Sequence, residues 1–442
     1  MKSIIVYISF SVFIFSCNTK SDYKEKIHDP ILFSNTVHEL NKVVMGNNFS
    51  PIVASRNYLY ASIAAYEAIA AGYPDQYYSL AGQLHGLDKV PQPEKGKDID
   101  FELAALLSYC KLGESVTFPA GSMSEYVDSI KEMAKDHGMP SSMYKNTLQY
   151  ADALSEAILA WSKKDKYAET RSYPKYNVMN DVPGRWVPTP PAYTEAMEPN
   201  WREIRPLVID SANQFVPPPP PAFNITDKNS KYYYELMLIK NAVDSLTDEQ
   251  KHIANFWDDN PFKLNVSGHV MFGTKKFSPP GHWMSIVGIA AKKANADFAK
   301  TVYAYALTAI AQFDSFIHCW DEKYRSNYVR PETVINKYFD PEWHPLLQTP
   351  PFPEYTCGHS TVSASNAEAL THVFGDNFAY TDTSELEFGI DSRSYKSFRD
   401  AAVENNWARF YGGIHFHNSC IVSTEYGRKV GDYIIDHLKM KK

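Results

Sequence analysis

KYRSNYVRP at 323–331, YTCGHS at 355–360 and ARFYGGIH at 408–415 are the stretches on which the reading of this chain turns. Lys323 and Arg330 are separated by six residues, and Arg409 and His415 by five, so each pair can converge on one ligand from a helix end or a turn. Three cations gathered in one place need a dense anion to offset them. An arginine fork holds two oxygens in a plane, and a lysine adds a compact point charge. Gly358 lets a backbone N–H approach closely, while His359 and His415 supply proton transfer and a nitrogen ligand or nucleophile. The set reads as a site for a tetrahedral or trigonal-bipyramidal oxyanion.

Outward from these stretches, helical periodicity dominates. Residues 52–71, 101–112, 123–137 and 143–163 carry small, aliphatic and aromatic residues on recurring faces and read as packed helices. Helices resume at 230–242, 247–258, 280–294 and 296–322, and the last delivers Lys323 at its C-terminal end. His359 begins a helix that runs to Phe374, so Gly358 sits where free N–H groups and the positive end of the dipole favour an anion. Segments 395–411 and 415–438 follow, with Gly412 and Gly413 turning Arg409 and His415 toward one site. Residues 165–225 break the rhythm with a five-proline run at 217–221. Such density favours extended backbone. The interleaved Trp186, Tyr193, Trp201, Phe215 and Phe223 predict an ordered strap packed on the helices, because a solvated linker needs no large apolar anchors. The expected fold is all-α, one helical domain over 29–442 with its catalytic motifs in 320–420.

A net charge of -7 excludes the broad basic surface that a nucleic-acid partner wants. The N-terminal MKSIIVYISFSVFIFSC has a short positive start and a hydrophobic run of signal-peptide length, ending in Ser16 and Cys17. This resembles a lipoprotein cleavage site: residues 1–17 form the signal peptide, Cys17 is the lipidated N-terminus, and 18–28 form a polar tether. The expected location is outside the cytoplasm, periplasmic or at the cell surface, with membrane contact only through the anchor. Cys110, Cys319, Cys357 and Cys420 show no zinc spacing. They read as buried thiols, although Cys319 or Cys420 lies near enough in sequence to the motifs to approach Cys357.

The three stretches resemble the superfamily that joins type-2 phosphatidate phosphatases and bacterial acid phosphatases with vanadium-dependent haloperoxidases. Its pattern is Lys-x6-Arg-Pro, then Pro-Ser-Gly-His, then Ser-Arg-x5-His-x3-Asp. WDEKYR at 320–325, PPFPEY at 350–355 and GGIHF at 412–416 are similar to bacterial iodoperoxidases in particular. The resemblance implies a large helical bundle with vanadate as cofactor and hydrogen peroxide and halide, iodide first, as substrates. It implies that Lys323, Arg330, Cys357, Gly358, His359 and Arg409 surround vanadate, that His415 is the metal ligand, and that His359 moves protons. Trp320, Asp321, Phe352 and Tyr355 are expected to line the entrance. In the phosphatase branch His415 attacks phosphorus and His359 protonates the leaving group. A third possibility is an oxyanion-binding lipoprotein without efficient turnover.

Two positions depart from the pattern. Cys357 stands where serine is usual, and a thiol is a weaker donor to an oxyanion and is oxidisable beside peroxide. Ser419 replaces the aspartate that follows the second histidine, so another acceptor must orient His415, whether a backbone carbonyl, a remote acid, or His417 or Asn418. His252, His269, His282 and His318 lack mutual metal-ligand spacing and read as structural.

Overall fold

The structure is a computed structural model that describes residues 21–442 apart from Phe262 and Gly268. The signal peptide and Cys17 lie outside the described residues.

Two helices are buried on nearly every side and form the interior of the molecule. They are α3 (Pro51–Gly72) and α11 (Phe298–Ser326), and they pack on each other through the middle of the molecule. Their starts are well specified. Ser50 accepts from the Val53 N–H ahead of Pro51, and Asp297 accepts from the Lys300 N–H. On one side of this pair lie α2 (Pro30–Gly46), α4 (Phe101–Ser115), α5 (Ser124–Asp136) and α6 (Ser141–Ser162). Opposite them are α13 (Gly358–Phe374), α14 (Phe398–Tyr411) and α15 (His417–His437), with α10 (Pro279–Lys293) bridging to α11. The shorter α8 (Lys231–Asp244), α9 (Asp248–Phe256) and α12 (Pro331–Tyr338) close the end that carries the motifs. One hydrophobic core runs from Tyr23 to Met440 across both halves. The architecture is all-α. Among the described residues, strand is confined to the antiparallel pairs β1 (Lys263–Ser267) with β2 (Val270–Thr274), and β3 (Tyr380–Asp382) with β4 (Arg393–Tyr395). Among the described residues no helix is long and apolar enough to cross a membrane.

The domain starts earlier than expected. A short helix, α1 (Tyr23–Ile27), occupies the stretch read as tether and buries Tyr23 and Ile27 against α5, while the Asp22 and Tyr23 amides donate to the His137 carbonyl at 3.1 Å. Helices α2 and α12 were not anticipated either.

The strap is ordered, and α11 holds it. The amides of Leu207, Val208 and Ile209 donate to the buried Asp314 carboxylate at 2.8, 2.8 and 3.1 Å. Burial nonetheless pushes that carboxyl up to about 6. Trp186 and Trp201 are fully buried, and Phe215 and Phe223 are half-buried against aromatic neighbours. Tyr193 departs from the expectation: it is 64% exposed and anchors nothing. The strap also positions the first motif. The Trp186 amide donates to the Asn327 carbonyl at 2.7 Å and the Val329 amide to the Gly184 carbonyl at 3.0 Å, fixing the short stretch between the end of α11 and Arg330.

Candidate active site

Three helices begin at one place, and none has a side-chain cap. Arg330 is the residue before α12, Cys357 the residue before α13 and Phe416 the residue before α15. Uncapped N-termini carry partial positive charge from unpaired N–H groups. The last turn of α11 adds Lys323, and the last turn of α14 adds Arg409. Gly413, with φ of 77°, makes the turn that returns the chain from Arg409 to His415.

The side chains brought together are almost fully buried. Lys323 Nζ donates to the carbonyls of Pro353 and Glu354 at 2.8 and 3.1 Å and lies 4.9 Å from the centre of the Phe352 ring. Arg330 donates from Nε to the Phe352 carbonyl at 3.0 Å and from Nη1 to the Ile414 carbonyl at 2.7 Å and to His415 Nε2 at 3.0 Å. Arg409 Nη1 donates to the Trp257 carbonyl at 2.8 Å. No carboxylate is among these partners. Burial pushes the Lys323 ammonium down to about 8 and the Arg330 guanidinium down to about 10. Arg330 Nη2, Arg409 Nε and His359 Nε2 are buried without a hydrogen-bond partner. Buried polar atoms are nearly always satisfied, so three orphans on three neighbouring residues mark a place built for a polyvalent oxyanion. The residues present therefore fit vanadate.

A residue the sequence reading did not single out settles how His415 is oriented. Glu354 is fully buried and accepts from His415 Nδ1 at 2.9 Å, from the Phe416 amide at 3.0 Å and from Ser419 Oγ at 2.9 Å. With Nδ1 donating to a carboxylate, the lone pair of His415 is on Nε2, which accepts from Arg330. The remote acid thus takes the place of the missing aspartate, and Ser419 supports it by donating to its second oxygen. Neither His417 nor Asn418 orients the His415 ring.

His359 opens onto a cavity of about 310 Å³ whose lining includes Arg409, Phe352, Pro351, Asp259 and Met197. Its Nε2 is 3.9 Å from Asp259 Oδ2. Burial, and then the charge of Arg409, holds its imidazole well below the ordinary histidine range, so the ring is unprotonated at neutral pH. Behind Asp259, His282 sits between Asp259 Oδ1 at 2.8 Å and Asp382 Oδ2 at 2.9 Å. Burial opposes its charge, but the two carboxylates outweigh burial and raise it well above the usual range.

At Cys357, burial opposes ionisation, but the neighbouring Cys420 and His415 outweigh it and hold the thiol well below its ordinary range. The four cysteines among the described residues are free. A Cβ on Gly358 would come within 3.3 Å of the Trp320 ring, which stands behind Lys323. Three expectations need correction, the first being Trp320, which stands beside Lys323 and outside the cavity lining. Asp321 points away from the cavity and pairs with Arg202 at 2.9 Å and Arg325 at 3.3 Å. Tyr355 also faces away, donating its hydroxyl to the Pro218 carbonyl in the five-proline run. Of the four entrance residues, Phe352 alone lines the cavity.

Comparisons with known proteins agree with this geometry. The sequence profile described as the VCPO second helical-bundle domain matches residues 303–441. The crystal structure of a bacterial vanadium-dependent iodoperoxidase is similar at 43% identity and a TM-score of 0.87, over 93% of this chain and 97% of that one. Two bacterial vanadium-dependent chloroperoxidase structures share the fold. The holo form matches at 16% identity, a TM-score of 0.64 and 90% and 93% coverage, and the apo form at 17%, 0.65, and 88% and 95%. No curated protein sequence matches significantly. With an oxyanion cradle at three helix starts, a histidine whose lone pair faces it and a near-full-length relative at this identity, the chain belongs to the family of vanadium-dependent haloperoxidases, peroxidases whose cofactor is vanadate.

Proposed function

We propose that this protein oxidises halide with hydrogen peroxide in a vanadate-dependent reaction, with iodide as the preferred halide. The observation that carries the reading is the set of orphaned polar atoms on Arg330, Arg409 and His359 beside the lone pair of His415 Nε2. Lys323, Arg330, Arg409 and the Gly358 N–H hold the oxygens of the cofactor, and His415 Nε2 is its nitrogen ligand. Glu354 keeps that ring in the correct tautomer. Bound vanadate supplies a Lewis-acidic centre that polarises peroxide without changing its own oxidation state. His359, neutral and facing the cavity, accepts a proton from peroxide at Nε2 and returns it to the leaving oxygen. Phe352 and Pro351 limit water at the reacting atoms.

Iodide suits the cavity, which exposes mainly carbon from residues such as Pro350, Pro351, Phe352 and Met197. Such a lining favours the largest and most weakly hydrated of the common halides, and the 43% identical relative is an iodoperoxidase. Initial rates of vanadate-loaded protein with iodide, bromide and chloride test this. Iodide is expected to react fastest. Equal or faster bromide turnover would sink the halide preference, and phosphate-ester hydrolysis by vanadate-free protein without any halide oxidation would support the phosphatase branch instead. The hydrophobic run before Ser16 and Cys17 further supports export and a lipid anchor at Cys17, which the mass of the N-terminal peptide from the producing cell would test.

A further inference from the structure

Helices α13 and α15 touch backbone to backbone. A Cβ on Gly427 would fall 2.2 Å from the Thr361 carbonyl oxygen, and one on Gly431 would fall 3.0 Å from that of Ser365. The contacts advance by four residues on both helices, so the two run side by side in the same direction and their starts lie together. The start of α13 carries Cys357, and the first turn of α15 carries Cys420, both buried. The Cys357 amide donates to Ser423 Oγ at 2.8 Å, which ties it to the face of α15 that presents Cys420 one turn earlier. The two thiols are close enough to perturb each other, Cys357 downward and Cys420 upward. Cys319 is engaged elsewhere: Thr356 Oγ1 donates to its sulfur at 3.3 Å, and its thiol faces the Thr356 carbonyl at 3.6 Å.

We propose that Cys357 and Cys420 form a disulfide driven by hydrogen peroxide inside the oxyanion site, an oxidative modification that weakens vanadate binding and is reversed by thiol reductants. This rests on the peroxidase reading, because peroxide is the substrate that reaches the site. In the first step the Cys357 sulfur attacks one peroxide oxygen. An S–O bond forms and the O–O bond breaks. Sulfur loses two electrons, and the leaving hydroxide departs as water with the thiol proton. In the second step Cys420 sulfur attacks the sulfenic sulfur, the S–S bond forms, the S–O bond breaks, and the hydroxyl leaves as water with the Cys420 proton. Overall, two thiols and one peroxide give one disulfide and two waters. The bond removes the Cys357 thiol from its place beside His415 and pulls the start of α13 toward α15. Cys420 also spares Cys357 from irreversible sulfinic oxidation by capturing the sulfenic acid.

The test treats the full chain with hydrogen peroxide in the absence of halide, blocks free thiols and maps the cysteine peptides by mass, with vanadate binding measured by equilibrium dialysis. One linked pair, Cys357 with Cys420, is expected, with vanadate affinity lowered about tenfold and restored by dithiothreitol. In Cys420→Ala, and in Cys420→Ser should the first fold poorly, Cys357 should instead gain two oxygens, and dithiothreitol should not remove them. Linkage of Cys357 to Cys319, a Cys357 thiol that stays free, or a Cys357–Cys420 bond with unchanged vanadate binding would each overturn the proposal. None of these readings requires halide turnover, so failure of the peroxidase reading appears separately, as absent iodide oxidation.

Discussion

Replacing Ser419 by aspartate restores the residue that the family pattern has at this position, yet here it should damage the site. Ser419 Oγ donates to Glu354 Oε2 at 2.9 Å, and both residues are buried. In Ser419→Asp the introduced carboxylate lies within about 4 Å of the Glu354 carboxylate, where two like charges at an effective dielectric of 20 repel by about 4 kcal/mol. One acid must take up a proton, and Glu354 loses a hydrogen bond worth about 1.5–3 kcal/mol to a charged acceptor. Glu354→Gln alone should be mild in stability, because its amide can donate to Ser419 Oγ and its carbonyl can still accept from His415. Its turnover should fall about 10- to 100-fold as the imidazole loses its charged partner. The double variant moves the acid from one position to the other and should recover most of the stability lost in Ser419→Asp. Denaturant unfolding of wild type, both single variants and the double variant closes the cycle. A coupling of about 3–4 kcal/mol is expected. Ser419→Asp as stable as wild type, with no coupling to Glu354→Gln, would refute the assignment of Glu354 as the acid that orients His415.

Three further outcomes follow from the geometry. Burial pushes Lys323 down to about 8, so its charge is present below that pH and lost above it; vanadate affinity should fall about tenfold per pH unit above 8, and Lys323→Met should flatten that slope by one unit in dialysis. The same shift disfavours the charged lysine in the fold below pH 8, so vanadate should raise the melting temperature more at pH 7 than at pH 9 in a thermal shift assay. Gly427→Ala places a Cβ 2.2 Å from the Thr361 oxygen and should cost about 3 kcal/mol in denaturant unfolding, with vanadate affinity falling as the two helix starts separate. Phe352→Leu removes the ring that faces both Lys323 and Arg330 and should weaken vanadate binding about tenfold, again by dialysis.

The helices that carry the site were legible because their apolar residues repeat at helical spacing, and the cations were legible because three of them with two histidines have no cheaper use than an anion. What escaped the sequence was determined by contacts distant along the chain. Glu354 is 61 residues from His415, so no local spacing relates them. Attention to the fourth residue after His415 found Ser419 but not the acid to which it donates. Glu354 and Tyr355 are neighbours in a bend, yet Glu354 faces His415 while Tyr355, expected at the entrance, faces the proline run. Asp321 missed the site because Trp320 and Lys323 share one face of α11, while Asp321 is turned toward Arg202. Asp259 lies in a short connection after α9, with no pattern to relate it to His359 or His282. The packing of the strap was readable from its tryptophans, but not its attachment to Asp314, since a single acid in an apolar helix gives no sign of three amides arriving from elsewhere.

The most direct test of the central claim is triiodide formation by the purified full chain with iodide and hydrogen peroxide, measured before and after incubation with orthovanadate, beside His415→Ala treated identically. The account predicts activity that appears with vanadate in the wild type and is absent from the variant. Equal activity without vanadate, or full activity in vanadate-loaded His415→Ala, would contradict it.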